Sequence, residues 1–329
     1  MPERDPRTVH QDCVPDTVRT VNSPPRLVDG NQRNHHYAPQ FYLRAWANQH
    51  GGLRLFDGWT GYTRNGGVRT AGCEEYFYAM DLGPDTKSNV IETWLADNVD
   101  GPAGRLVPEL RDALQLTPNH TRYLDLMRFL SFQAARTPRQ WAMNDAFVAH
   151  AIGEAQASVG APRPTFAPGE AMSQKRQIEQ MVNTADLVSH GLAARTWEIY
   201  VAPGAIWPTG DNPLVWWNSE DQAEQLHGAH LELAPQVILA LSPQRLLVGH
   251  HRGLARQPVL GVDQSSGPRH QEVWFNYVNA LVNATHQYVI DTPGSPFDAD
   301  WRERSASRRM FRPDGAVVSL GYAQPAATG

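Results

Sequence analysis

The sequence is nearly without lysine. Of its 29 basic residues only Lys87 and Lys175 are lysines, which leaves 27 arginines. Both sit in polar stretches, Asp-Thr-Lys-Ser and Ser-Gln-Lys-Arg, where a solvated ammonium is expected. A Walker lysine, a Schiff-base lysine or a Ser-Lys dyad therefore has no support. Cysteine is almost as scarce. Cys13 and Cys73 alone make neither a disulfide framework nor a cysteine zinc site. Cys73 is followed by Glu74 and Glu75, and neighbouring negative charge raises a thiol pKa, which argues against a reactive nucleophile. The GxGxxG, GxxxxGK[ST], GxSxG, HExxH and CxxC patterns are all missing, so nucleotide-binding, α/β-hydrolase and zincin readings lose their usual basis.

Long apolar runs are missing too. Val237–Leu241 and Leu246–Gly249 are far short of the ~20 residues that span a bilayer. The first 34 residues carry five prolines and no apolar core of a secretory signal, so cytoplasmic residence is the expectation. A net charge of −5 and a pI near 6.2 argue against a broad phosphate-neutralising surface. Neither nucleic acid nor a membrane is the expected partner, and the sequence does not set the oligomeric state.

Residues 1–33 hold five acidic and five basic residues, scattered prolines and no periodicity, and read as a mobile tail. The main domain is expected over 34–291, with a loosely packed extension over 292–329. Gly52–Tyr62 and Gly67–Ala71 read as hairpin strands, with turns at Gly51-Gly52 and Asn65-Gly66-Gly67. Helical spacing then recurs over Lys87–Asn98 and Ala103–Leu114, with Pro108 as a candidate first turn of the second helix. A longer helix follows from Asn119 or Thr121 and ends at Pro138. Another is predicted from Gln140 to Gln156. The Pro/Gly-rich 158–170 stretch is the candidate lobe boundary. After a polar helix near 172–190 the pattern turns to strands at Thr196–Ala202, Leu214–Trp217, Val237–Leu241 and Arg245–Gly249. A core helix over Gln271–His286 and a strand at Tyr288–Asp291 close the domain. The fold class is α+β: an N-terminal hairpin and helical bundle packed on a mainly antiparallel sheet with a covering C-terminal helix.

Several segments share a pattern with one family. They are Asn34-His35-His36-Tyr37-Ala38-Pro39-Gln40-Phe41-Tyr42-Leu43-Arg44, Glu75-Tyr76-Phe77-Tyr78, Ile91-Glu92, Phe132-Gln133-Ala134-Ala135-Arg136-Thr137-Pro138, Thr209-Gly210-Asp211-Asn212-Pro213, Leu241-Ser242-Pro243 and Val278-Asn279. In this order they resemble the uncharacterised bacterial family catalogued as domain of unknown function 4238, over residues 34–291. Many members carry Ser where this chain has Gly210. The resemblance lends no established activity.

Asp211-Asn212-Pro213 lies between two Trp-containing apolar segments. It reads either as a backbone-capping turn or as a functional carboxylate at a strand end. His35 and His36 are adjacent in an extended segment, so they point to opposite sides and at most one enters a given site. The resemblance favours His36. His250-His251 has the same limit, and His227 and His230 read as surface residues. Gln133 and Arg136 share one helix face. They form either a structural network, with Arg136 paired to a carboxylate such as Glu92, or a fork for an anionic ligand. The expectation is a hydrolase acting on a small anionic substrate. Asp211, His36 and Glu92 would form its acid/base constellation, with Asp211 and His36 as ligands if a divalent metal ion is present, and Arg136, Gln133 and Asn212 would bind the substrate. The alternative is a non-catalytic ligand- or protein-binding module in which these residues form a structural network.

Overall fold

The structure is a computed structural model, and it describes residues 26–29, 32–113, 120–167, 169–201, 206–217, 234–254, 258–262, 265 and 269–293. Cys13, His227, His230, the Asn119 cap and the extension beyond 293 lie outside the described residues.

The alternating apolar pattern of the second half builds one antiparallel sheet. Strands β8 (Arg195–Val201), β10 (Leu214–Trp217), β11 (Gln236–Ser242) and β12 (Arg245–His251) order as β10-β11-β12-β8. Strand β11 is buried along its whole length, as a central strand covered on both faces must be. Helix α7 (His270–Ala284) packs against the neighbouring β10 and buries Val273, Tyr277, Ala280 and Leu281. Two ring donors on α7 satisfy buried carbonyls: Trp274 Nε1 donates to Ile206 O at 2.8 Å and Tyr277 Oη to Pro208 O at 2.9 Å.

Strand β13 (Tyr288–Asp291) does not rejoin that sheet. It pairs with β3 (Gly52–Asp57) of the N-terminal hairpin on one side and with β9 (Thr209–Gly210) on the other. With β4 (Thr63–Gly67) the order is β4-β3-β13-β9, so the two ends of the domain are sewn into one sheet. Residues 67–71, expected as a strand, lie mostly outside it, and Asn65-Gly66-Gly67 is strand rather than turn. Gly66 is needed in that strand, because a Cβ there would meet Leu55 Cδ1 at 2.5 Å.

Part of the expected tail is built in. Strand β1 (Arg26–Leu27) runs parallel to β7 (Thr86–Ser88), which pairs with β6 (Met80–Gly83), and Asp29 accepts from Ser88 Oγ and Asn89 N. Strand β2 (Asn34–His36) pairs with β5 (Cys73–Glu75), placing His36 opposite Cys73.

The short helix α1 (Gln40–Leu43) is tied to the sheet by Tyr42 Oη, which donates to Ala240 O at 2.7 Å. Helix α2 (Val90–Leu95) runs through a π-helical turn, Ala96–Asp100, into α3 (Gly101–Asp112), so Pro108 lies inside a helix rather than at its start. Pro138 ends α4 (His120–Ala135) and opens α5 (Pro138–Ser158), with Thr137 Oγ1 capping Gln140 N. Helix α6 (Gln174–Ala193) packs against α4 and α5. The 158–170 stretch is the α5–α6 connection, and buried Asp145 pins it by accepting from Gly169 N and Met172 N, each at 2.8 Å. The architecture is the expected α+β arrangement around one continuous apolar core. Among the described residues no helix is long and apolar enough to cross a membrane.

Candidate functional site

Strand β2 sends its two histidines in opposite directions, and their environments differ. His35 is fully buried; its Nδ1 accepts from Tyr78 N at 2.9 Å, which leaves Nε2–H to donate to Asn89 Oδ1 at 3.0 Å. Both ring nitrogens are used, so His35 is a neutral structural bolt. His36 is also buried, but its ring bonds only the Arg69 carbonyl, and Nε2 has no partner among the described residues. A hydrogen bond from Nδ1–H to that carbonyl fixes the tautomer and leaves an uncommitted lone pair on Nε2. Burial, the largest influence, holds the His36 pKa below the usual histidine range.

Glu92, from the first turn of α2, accepts from the His36 backbone N–H. Its carboxyl is pushed up to about 7, chiefly by burial and against the pull of Arg136. Arg136 is not free to act on a ligand. Its two terminal nitrogens meet Asp100 Oδ2 at 3.0 Å and Oδ1 at 2.8 Å, and the second also reaches Gln133 Oε1 at 2.9 Å. Gln133 Nε2 in turn donates to Tyr37 O at 2.8 Å, and Tyr78 Oη donates to Arg136 O at 2.7 Å. The substrate-binding role expected of Arg136 and Gln133 is therefore not what their contacts serve. A fully buried guanidinium needs a carboxylate partner, and it finds Asp100 rather than Glu92. Nearby Cys73 donates to the Arg69 carbonyl at 3.7 Å, and its thiol is pushed up by burial, then by Glu92 and Glu74.

Asp211 belongs to a second cluster. Its Oδ1 accepts from His286 N at 2.8 Å, and its Oδ2 from Gln287 N at 2.6 Å and Tyr288 N at 2.7 Å. Asn212 Nδ2 donates to Ala284 O at 2.9 Å. The pair therefore clamps the junction where α7 ends and β13 begins, satisfying backbone groups that a helix end leaves open. Burial pushes the Asp211 carboxyl upward, opposed by His286 and the three N–H groups. Arg139 on α5 donates to Thr285 O at 3.2 Å and stands close enough to feel the Asp211 charge.

The expected constellation is thus divided. His36 and Glu92 come together, whereas Asp211, with its carboxylate taken by backbone donors, does not join them. Asn212 is turned to a helix carbonyl rather than to a substrate. Among the described residues no group of three or more His, Cys, Asp or Glu side chains is disposed to hold a metal ion, so the Asp211–His36 pair as metal ligands finds no geometric support. Tyr37 lies between the clusters: its hydroxyl is held strongly protonated by burial, then by the charges of Asp211 and Glu74. On the main sheet, His250 Nε2 meets Glu198 Oε1 at 2.9 Å.

Asp100 and His286 were not singled out from the sequence. Asp100 stands before Gly-Pro and reads as a turn residue, and only the π-helical turn carries it to Arg136. His286 lies at the end of a predicted helix, where nothing local marks it.

Fold and site together define a mixed α+β protein with two buried polar clusters, one with an uncommitted histidine beside a carboxyl poised near neutrality. The chain belongs to the family described as protein of unknown function (DUF4238), whose model matches residues 34–293. No curated protein and no solved structure matches it.

Proposed function

We propose that this protein is a hydrolase that works by general acid–base catalysis with His36 and Glu92. The observation that carries this reading is the buried Nε2 of His36, without a partner among the described residues, on the residue whose backbone holds the Glu92 carboxylate. A neutral imidazole lone pair can take the proton from an attacking water. A carboxyl poised near 7 is partly protonated at neutral pH and can protonate the leaving group. Water then divides across the cleaved bond, its hydroxyl to the electrophilic atom and its proton, by way of the two side chains, to the departing one. Arg136 and Gln133 act as positioning residues: through Asp100 and Tyr37 O they fix the frame on which both groups sit. With Arg136 and Asp100 neutralising each other, that ion pair offers no free cation for an anionic substrate group, and neutral or cationic groups suit the surroundings of Glu74 and Glu92.

A panel of p-nitrophenyl esters, phosphate esters and glycosides, assayed with wild type, His36→Gln and Glu92→Gln, tests the reading. Turnover that falls by about 10²–10⁴ in both variants supports it. No turnover, or turnover indifferent to both substitutions, would overturn it in favour of a binding module. That second reading is favoured by one observation: Arg136, Gln133, Asp211 and Asn212 all spend their polar atoms inside the protein.

A further inference from the structure

The junction clamped by Asp211 brings two unsatisfied ring nitrogens together. Trp59, in the β3–β4 turn, and His286, before β13, make an edge contact with ring centroids 5.1 Å apart. Trp59 Nε1 and His286 Nδ1 are both buried and have no hydrogen-bond partner among the described residues. An indole N–H can only donate, and leaving one buried without an acceptor is unfavourable. Two such atoms on rings in contact point to a missing group.

Both rings are held in place by backbone bracing. Asp57 Oδ1 accepts from Trp59 N at 2.8 Å, Gly58 N donates to Gln287 O at 2.7 Å, and Gln287 Nε2 reaches Asp57 Oδ2 at 3.2 Å. The turn at 57–60 and the segment at 286–288 are thus tied to each other, and the second is fixed again by Asp211. Arg139 donates to Thr285 O, the carbonyl next to His286. A site with pre-set donors and a buried guanidinium at its side is built to accept an oxygen atom carrying negative charge.

We propose that Trp59 and His286 form a binding site for an oxyanion, a carboxylate or a phosphate-like group, taken from a small ligand. Both rings donate to it, Trp59 through Nε1–H and His286 through Nδ1–H, and Arg139 stands beside them. The charged groups acting on the His286 ring are Asp211 before β10 and Arg139 on α5, while Asp57 at the end of β3 braces Trp59 N and the Gln287 side chain. Asp211 and Arg139 balance each other, so an incoming anion is best compensated by a proton taken up on His286. Binding therefore strengthens as the pH falls. The site is independent of the acid–base reading of His36 and Glu92, and neither stands or falls with the other.

Indole N–H signals of the full chain, followed by NMR during titration with sulfate or with acetate, test this directly. The Trp59 signal is assigned by its loss in Trp59→Phe, and the other indole signals report whether each variant is folded. The expected result is a saturable shift of the Trp59 signal with at least one of the two anions, not reproduced by chloride at equal ionic strength and lost in His286→Phe. A response to acetate alone assigns a carboxylate, and to sulfate alone a tetrahedral group. Sulfate keeps its charge from pH 6 to 8, and its affinity should rise on acidification by up to about tenfold per pH unit, the slope of one linked proton. A Trp59 signal that does not move, that moves equally with chloride, or that moves unchanged in folded His286→Phe would overturn the proposal.

Discussion

The two polar clusters are both made of buried charge, yet they use it oppositely. Around Asp211 every carboxylate oxygen is taken: three backbone N–H groups converge on it within 2.8 Å, and the result is a joint between α7 and β13. Around Glu92 the guanidinium is spent on Asp100 and the carboxyl keeps one backbone donor, the His36 N–H, so burial raises its pKa to about 7. A carboxylate held by several donors is a structural part, whereas one that is buried and under-compensated can exchange a proton under working conditions. The residue types are the same. What separates them is how many donors the fold aims at each.

The largest effect should come from cutting the joint. Asp211→Ala removes three hydrogen bonds to a charged acceptor and leaves three backbone donors unmet. It should destabilise the protein by roughly 3–5 kcal/mol in urea unfolding, given ~1–3 kcal/mol for each buried group left unsatisfied. A change under about 1 kcal/mol would show that the clamp is not structural.

Glu92→Gln sharpens the contrast, because here removing charge should stabilise. The folded-state pKa of Glu92 lies above its ordinary 4.5, so the folded chain binds that proton more tightly than the unfolded one. Its contribution to stability is fully present below about pH 4.5 and is lost as the pH rises through about 7. The expected loss is on the order of 3–4 kcal/mol, at about 1.4 kcal/mol per pKa unit. Unfolding free energies of Glu92→Gln should therefore be flatter than wild type across this window and higher at pH 8. His36, whose pKa burial lowers, works with the opposite sign: its neutral state favours folding at higher pH, and that contribution fades on acidification.

Smaller effects test details of the joint. Asn212→Ala should lose about 1 kcal/mol, the net value of one hydrogen bond, here to Ala284 O. At Gly210 a Cβ would stand 2.7 Å from Thr285 Oγ1, so Gly210→Ala should lose about 1 kcal/mol through overpacking. Thr285→Ala in the same chain should relieve it, and a double-mutant cycle by thermal unfolding measures the coupling.

Much of this was legible in the residues themselves. The runs at Leu214–Trp217, Val237–Leu241 and Arg245–Gly249 became neighbouring strands, and Thr137-Pro138 marked the break between α4 and α5 because proline both ends and begins helices. His35 and His36 point apart, as alternation in a strand requires. The pairings that needed long-range contacts were not legible. Nothing near Tyr288 says that β13 will pair with β3, and nothing near Asp100 says that a π-helical turn will aim it at Arg136. Asp211 and Asn212 looked like capping residues for their own turn, but they cap backbone more than seventy positions later, at 284–288. Sequence pattern shows which groups must find partners. Only the tertiary fold shows which ones are left without.

The central claim is that Glu92 is the under-compensated carboxyl and Asp211 the satisfied one. A carboxyl-carbon NMR titration of the folded protein, with the Glu92 signal assigned by its loss in Glu92→Gln, addresses it most directly. The account predicts a midpoint near 7 for Glu92. A midpoint in the ordinary glutamate range, about 4.3, would mean that the group is solvated or fully paired, and the acid–base site would have to be given up.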